Sequence, residues 1–461
     1  MKHLNIRPFW LTLCVVLILF GMYYLPTGSI GEKQLRRIDI LADLRPDEAT
    51  EEDSLSADTL FTVPIQKPEF VDTCKTGITC IEDYADSTTR GMTPFYEALA
   101  GHDTLPRPVR IAYFGDSFIE GDILTSDFRA LMQEHFGGKG AGFIDITSQT
   151  YGFRPTVGHA FSGWESHQYT DSTGFDRGKQ GINQRYFIPQ GTAYVELSGK
   201  PNYLTHLDTC GVSTLFCLQT DTVATLLTTL INKKKAGQHI IKPSPAVQAI
   251  HVEGNIGRIR WTIPPSPRAL YYGIAMDDPT GISVDNFSLR GSGGISLQSI
   301  PGHHLRQFNA VRPYDLIVLQ YGLNVATKRG KNYDGYLQGM KQVISHLKEC
   351  FPQAGILIIG VGDRAYKDEN GELHTMPGVK NLVRYQQRLA AESHVAFWNL
   401  YTAMGGEGSM PRLVEAKPQM ANYDYTHINF KGGRHLAQIL YETMVYGFEQ
   451  YKRRKSYESA E

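Results

Sequence analysis

The chain has 461 residues, 41% of them hydrophobic, and 46 basic residues against 47 acidic ones. That length exceeds one ordinary core and accommodates two domains with an anchor and a linker. Balanced charge, with no basic patch interleaved with aromatics, excludes a nucleic-acid partner, and Lys452-Arg453-Arg454-Lys455 reads as a solvated helix end.

Taken in chain order, Lys2, His3 and Arg7 precede an almost uninterrupted apolar stretch at residues 9–25, at the short end of what spans a bilayer. Positive charge ahead of it predicts a cytoplasmic N-terminus and export of the remainder. Residues 1–27 are therefore expected to anchor an exported protein in a membrane. A signal sequence cleaved to release a secreted protein is the alternative, although no small-x-small site follows Leu25-Pro26. Thr12-Leu13 make Cys14 a poor lipidation site. Residues 28–69 are acidic and polar with no sustained apolar period, the composition of a tether.

The folded part begins near residue 70. A short amphipathic segment at 94–100 leads into an apolar run at 111–114 that reads as a strand and stops at Gly115-Asp116-Ser117. Phe128, Leu131, Met132 and Phe136, at helical spacing, announce a helix from about Thr125. Between Phe143 and Asp285 the pattern changes to short β-rich runs, at 192–197, 213–218, 246–252, 258–263 and 270–276, separated by Gly, Pro, Asn and Asp. This predicts an all-β sandwich, residues 143–282, inserted into an α/β domain made of residues 70–142 and 283–461. Strands are expected again at 283–289, 316–320, 356–361 and 395–400, and helices at 333–350, 379–393 and 433–453. With the strand before Ser117 these form a five-stranded parallel sheet covered on both faces, whose ligand site lies beyond the strand C-termini.

Six cysteines occur. Cys74 with Cys80, and Cys210 with Cys217, are each close enough in sequence to close a short disulfide loop, which agrees with export and leaves Cys350 unpaired. Cys210 and Cys217 fit buried free thiols equally, since they lie in an apolar strand-like segment. Neither spacing suits zinc and no His cluster accompanies them, so no metal or cofactor is expected. Trp164 and Trp261 in the insert read as core residues rather than platforms for sugar rings.

Gly115-Asp116-Ser117 presents a hydroxyl on a tight turn at a sheet edge, where a nucleophile sits, although the same residues serve as an ordinary capping turn. A serine nucleophile needs a base, an orienter for the base and donors for the oxyanion. Of 15 histidines, only His427, in Asn422-Tyr-Asp-Tyr-Thr-His, has an aspartate three residues earlier, Asp424. Gly291 and Asn324 follow successive strands of the expected sheet, and each is a candidate donor. Another Gly-x-Asn, Gly181 to Asn183, has no apolar strand leading into it. Activity is expected to rise through about pH 6 to 8, where an imidazole ordinarily loses its proton.

In that order, Gly115-Asp116-Ser117, Gly291, Gly322-Leu323-Asn324 and Asp424-Tyr425-Thr426-His427 resemble the four sequence blocks of the SGNH hydrolases, also called GDSL esterases. Phe118 stands where the first block has leucine. The resemblance covers about 110–136 and 283–450 and implies a flavodoxin-like three-layer α/β/α domain. The large insertion, the exported N-terminus and Phe397-Trp398-Asn399-Leu400 ahead of the last block narrow it to the peptidoglycan O-acetylesterases of Gram-negative bacteria. Those enzymes carry a sandwich similar to carbohydrate-binding modules in the same place. The resemblance implies removal of O-acetyl groups from muramic acid, with an O-acetylated glycan as substrate. Ser117 would be the nucleophile, His427 the base and Asp424 its orienter. The Ser117 and Gly291 N–H groups with the Asn324 amide would form the oxyanion hole. Two further outcomes of the same blocks are an O-acetyltransferase acting on an envelope glycan and a non-catalytic glycan-binding protein.

Overall fold

The computed structural model describes residues 70–459, apart from 87–90, 172, 221 and 267, together with a few isolated positions nearer the N-terminus. By residue contacts the chain divides into Met1–Pro68 and Glu69–Glu461. In the first unit Ser29–Ile30 pairs antiparallel with Lys33–Gln34, inside the stretch expected to be a tether. The apolar stretch at 9–25 lies outside the described residues except for Trp10 and Leu13. Among the described residues no helix is long and apolar enough to cross a membrane.

The second unit begins with β1 (Glu82–Asp83), α1 (Thr93–Ala100), β2 (Val109–Gly115) and α2 (Thr125–Phe136). Nine inserted strands follow: β3 (Gly142–Ile144), β4 (Gly158–Gln168), β5 (Arg185–Ser198), β6 (Cys210–Gln219), β7 (Thr225–Ile231), β8 (Lys235–Ile241), β9 (Gln248–Ile256), β10 (Arg258–Ile263) and β11 (Ala269–Asp277). The chain returns through β12 (Ile282–Ser288), α3 (Gly302–Val311), β13 (Leu316–Gln320), α4 (Asp334–Cys350) and β14 (Gly355–Ile359). A hairpin of β15 (Ala365–Lys367) and β16 (Leu373–Thr375) then precedes α5 (Pro377–Glu392), β17 (Ala396–Trp398), α6 (Leu400–Ala403), α7 (Ser409–Glu415) and α8 (Phe430–Ser459).

The central sheet runs β12-β2-β13-β14-β17-β1. Its first five members pair in parallel, and β1 adds antiparallel to β17. The sheet thus has six strands rather than the five expected, because Glu82-Asp83 is too short and polar to register as a strand in sequence. β13, Leu-Ile-Val-Leu-Gln, is buried throughout, the pattern of a strand covered on both faces. The helices fall into two packed groups, α1 and α2 with α8, and α3 with α4 and α5. In α4 the buried residues Leu337, Met340, Ile344 and Leu347 recur at helical spacing, which sets the face turned to the core.

The inserted strands pair antiparallel in one continuous, sandwich-like network in which the long β5 contacts β4, β10 and β11. β7 alternates buried and exposed residues, as a half-buried strand should. Leu227 and Ile231 from it join Ile259, Trp261 and Ile263 in a second core. Trp261 is fully buried, and the partly buried Trp164 donates to Tyr194 O at 2.9 Å. Phe143, Phe216 and Tyr272 of the insert belong instead to the main core. There Phe143 packs on Phe287 of β12 and Phe287 on Phe114 of β2, with ring centroids 5.2 and 5.0 Å apart. Such ring pairs contribute about 0.5–1.5 kcal/mol each beyond the area they bury.

A buried ion cluster reinforces the seam. Arg312 bonds to Asp277 of β11 at 2.6 Å and to Asp285 of β12 at 2.6 Å, and Tyr314 Oη donates to Asp285 at 2.6 Å. Burial works against the charges of Arg312 and Asp277, but mutual attraction prevails: it holds the Asp277 carboxyl below its ordinary range and Arg312 well above its own.

Cys74 and Cys80 form a disulfide. Cys210, Cys217 and Cys350 are free and buried. The alternative of a Cys210–Cys217 bridge fails for a geometric reason: both lie on the single extended strand β6. At about 3.3 Å of rise per residue they are too far apart for the 4.4–6.8 Å Cα separation a disulfide requires.

Candidate active site

β2 ends at Gly115, and Ser117 follows in a turn. A one-turn helical segment, Glu120–Asp122, separates it from α2, so the serine is not at the helix start itself. Glycine at 115 is dictated by packing: a Cβ there would stand 2.8 Å from the Ile119 side chain and 3.1 Å from Gln320 O of the neighbouring strand. Asp116 is buried beneath the turn, where its Oδ1 accepts from Phe118 N–H at 2.9 Å.

His427 and Asp424 arrive on the loop before α8. Ser117 Oγ lies 2.9 Å from His427 Nε2, and His427 Nδ1 lies 2.7 Å from Asp424 Oδ2. Asp424 Oδ1 accepts from the backbone N–H groups of His427 and Thr426, both at 3.0 Å. Partial burial raises the Asp424 carboxyl pKa, but the bonds from His427 and Thr426 outweigh it and hold the group below the usual carboxylate range. Ser117 and His427 are half-buried, so a reactant has a route to the hydroxyl.

Gly291 lies in the loop after β12 with φ +77°, a left-handed conformation that favours glycine, and a Cβ there would meet nothing within 4 Å. Neither its N–H nor that of Ser117 donates to a described residue. Asn324, after β13, is tied differently from the expectation of a free donor. Its amide nitrogen donates to Asp116 Oδ2 at 2.9 Å and to Ser292 O at 3.0 Å. Asn324 thereby links the Ser117 loop to the Gly291 loop, and both its hydrogens are engaged. Burial pushes the Asp116 carboxyl up to about 6 despite the bonds from Phe118 and Asn324. The residues singled out in sequence therefore converge on one edge of the parallel sheet. Gly181 and Asn183 do not: Asn183 is buried in the insert, bonded to Asp145 and Tyr272 O.

Three features of the site escaped the sequence reading. Asp116 is the residue that holds Asn324. Asp122, fully buried, gathers Arg129, Arg154 and Thr156, with Thr156 Oγ1 at 2.6 Å. Because Arg154 and Thr156 belong to the insert, this carboxylate ties the insert to the segment after Ser117. Burial works against its ionisation, but the two guanidiniums dominate and hold its pKa well below the ordinary range. Gly432 and Gly433 let α8 approach closely, since Cβ atoms there would stand 2.0 Å from Met420 O and 1.7 Å from Ile123 O. A paired glycine at a helix start was the available signal.

No model of a known protein family matches the sequence, and no curated protein does. A solved structure of a peptidoglycan O-acetylesterase superposes with a TM-score of 0.64 at 19% identity, covering 80% of this chain and 99% of that one. The chain shares that esterase's fold. Family two carbohydrate esterases from Cellvibrio japonicus (9% identity, 64% of this chain, 99% of that one, TM-score 0.26) and Clostridium thermocellum (10%, 62%, 100%, 0.27) superpose too loosely to carry an argument. Among the described residues no group of His, Cys, Asp and Glu is arranged to hold a metal ion.

Proposed function

We propose that the chain is a carboxylic ester hydrolase of SGNH type that removes O-acetyl groups from peptidoglycan or a related envelope glycan. The observation that carries this reading is the continuous hydrogen-bond relay Ser117–His427–Asp424, with links of 2.9 and 2.7 Å. The four sequence blocks and the fold shared with a peptidoglycan O-acetylesterase support it.

Ser117 Oγ attacks the acetyl carbonyl while His427 Nε2 takes its proton, and Asp424 stabilises the imidazolium that results. The oxyanion develops beside the Ser117 and Gly291 N–H groups. Asn324, held by Asp116 and Ser292, shares one of its hydrogens as negative charge grows. His427 then gives the proton to the departing sugar oxygen, leaving acetyl-Ser117. A water molecule deprotonated by His427 hydrolyses that ester and releases acetate.

The same reading takes residues 70–142 and 283–461 as the hydrolase domain and 143–282 as its carbohydrate-binding-module-like insert. Residues 1–27 hold the protein at the periplasmic face of the inner membrane. The Cys74–Cys80 disulfide supports export, since such bonds persist in oxidising compartments. The deciding experiment measures acetate release from O-acetylated peptidoglycan by the parent and by Ser117→Ala, with and without a glycan acceptor. The expected result is acetate from the parent and none above background from the variant. Equal release by both sinks the serine mechanism, and acetylated acceptor as the main product makes the chain a transferase.

A further inference from the structure

A cleft of about 370 Å³ lies between the insert and the hydrolase elements, beside the relay but not containing it. Its hydrolase wall includes Glu120, three residues after Ser117, and Arg290, which precedes Gly291. Its insert wall includes Gln149, Gln168, Thr170 and Asp171. Resting on the glycan-ester reading above, we propose that this cleft binds an uncharged sugar unit adjoining the acetylated one, so that the insert selects glycan chains over small acetates.

The chemistry of the walls argues for a neutral, hydroxyl-rich ligand. Every guanidinium that lines the cleft is held by a carboxylate: Arg290 by Glu120, Arg185 by Asp145 at 3.2 Å, and Arg154 by Asp122 at 2.8 Å. No guanidinium is left over to draw a phosphate or carboxylate ligand. The side chains of Gln149, Gln168 and Thr170, in contrast, bond to no described residue. Amides and a hydroxyl both donate and accept, which is what alternating sugar hydroxyls and acetamido groups require. Among the described residues Phe187 and Leu289 are the only large apolar ones on the walls, too few for an acyl chain. The volume falls at the small end of the roughly 300–1,000 Å³ range of small-molecule sites. The loop that supplies Gln149 also carries Tyr151 and Phe153, which pack on Phe161 and Phe430 and remain 53% and 54% accessible.

Asp122 fixes the cleft relative to the relay. It clasps Arg154 and Thr156 of the same insert loop, while Phe153 of that loop packs on Phe430 at the start of α8, with centroids 5.1 Å apart. A sugar in the cleft is thus registered against both the Ser117 loop and the His427 loop.

The test uses the full chain with two substrates, an O-acetylated tetrasaccharide of alternating N-acetylglucosamine and N-acetylmuramic acid, and 4-nitrophenyl acetate. The readout is the ratio of their kcat/KM values in Gln168→Ala/Thr170→Ala, which empties polar contacts, and in Thr170→Trp, which fills the cleft. The expected fall in that ratio is tenfold or more, residing in KM for the glycan. A ratio within twofold of the parent in both variants overturns the proposal. Calorimetric binding of the de-O-acetylated tetrasaccharide to Ser117→Ala separates this proposal from the esterase reading. Binding that Thr170→Trp abolishes supports the cleft even if the parent releases no acetate, whereas binding that Thr170→Trp leaves intact removes it even if the parent is an efficient esterase.

Discussion

Asp116→Asn separates orientation from charge beneath Ser117. Asp116 Oδ1 accepts from Phe118 N–H and Oδ2 from the Asn324 amide, each at 2.9 Å. Asparagine can keep the first bond but sets two donors against each other in the second. The Asn324 amide then turns away from the oxyanion position, and losing one such donor lowers kcat about 10²- to 10³-fold. The expected kinetic result is a fall of about 10²-fold in kcat with KM little changed. Stability moves in the opposite direction. Burial places the Asp116 carboxyl at about 6 in the folded protein against 3.8 ordinarily. At about 1.4 kcal/mol per unit, ionising it in the fold costs on the order of 3 kcal/mol.

The sign follows from proton counting. Below 3.8 the carboxyl is protonated in both states and nothing is lost. Between 3.8 and 6 the unfolded chain releases its proton while the folded chain keeps it, so the parent loses stability as pH rises. Above 6 the loss is complete. The variant has no such group. Urea unfolding of both chains from about pH 4 to 8 should therefore show Asp116→Asn gaining on its parent by up to ~3 kcal/mol as pH rises. A gap that does not change with pH, or a kcat within twofold of the parent, refutes the reasoning.

Asn324→Ala should lower kcat on an acetyl ester by about 10²- to 10³-fold in steady-state assays, and Asp424→Asn by about 10⁴-fold, since it leaves His427 without its orienting acceptor. Arg312→Met strands Asp277 and Asp285, both buried, and should cost about 3–5 kcal/mol in urea unfolding at neutral pH. Gly433→Ala forces α8 away from Ile123 O and should lower both the melting temperature and kcat, because that helix start follows the His427 loop; unchanged kcat would show that the close approach does not set the relay. Reducing the Cys74–Cys80 disulfide, which closes a short loop, should cost about 2 kcal/mol in denaturant titration.

The parallel sheet was legible because its central strands are apolar runs, and the Ser117 and Asn324 blocks follow two of them, β2 and β13, whereas Asp424 and His427 stood out by their three-residue spacing alone. β14 is another such run. The insert was legible only in part. β8, Lys-Ala-Gly-Gln-His-Ile-Ile, is an edge strand with most residues at least partly exposed, and its apolar and polar residue types do not alternate along the sequence. β4, Gly-His-Ala-Phe-Ser-Gly-Trp-Glu-Ser-His-Gln, pairs only with β5 and packs just Phe161 and Trp164 against the insert's core, too few apolar residues to mark an alternation in sequence. α3 was missed because His303, His304, Arg306 and Gln307 crowd its short apolar stripe of Leu305 and Phe308. Asp116 was visible as part of a motif, but its bond to Asn324 joins residues 208 apart in sequence, and no local pattern encodes such a partner.

The first and last strands of the insert lie side by side, Gly142 opposite Met276, while β2 and β12, which flank it, also pair as neighbours, Val109 opposite Ile282. At a synthesis rate of about 5–20 residues per second, the edge of β2 waits roughly 10–30 s for its partner. An insert that folds as it emerges brings the two ends together and replaces a long open loop by a short one, which lowers the entropy cost of laying down β12. The topology therefore predicts assembly from the middle of the gene outward, with protease resistance in arrested nascent chains reaching residues 142–277 before it reaches β2.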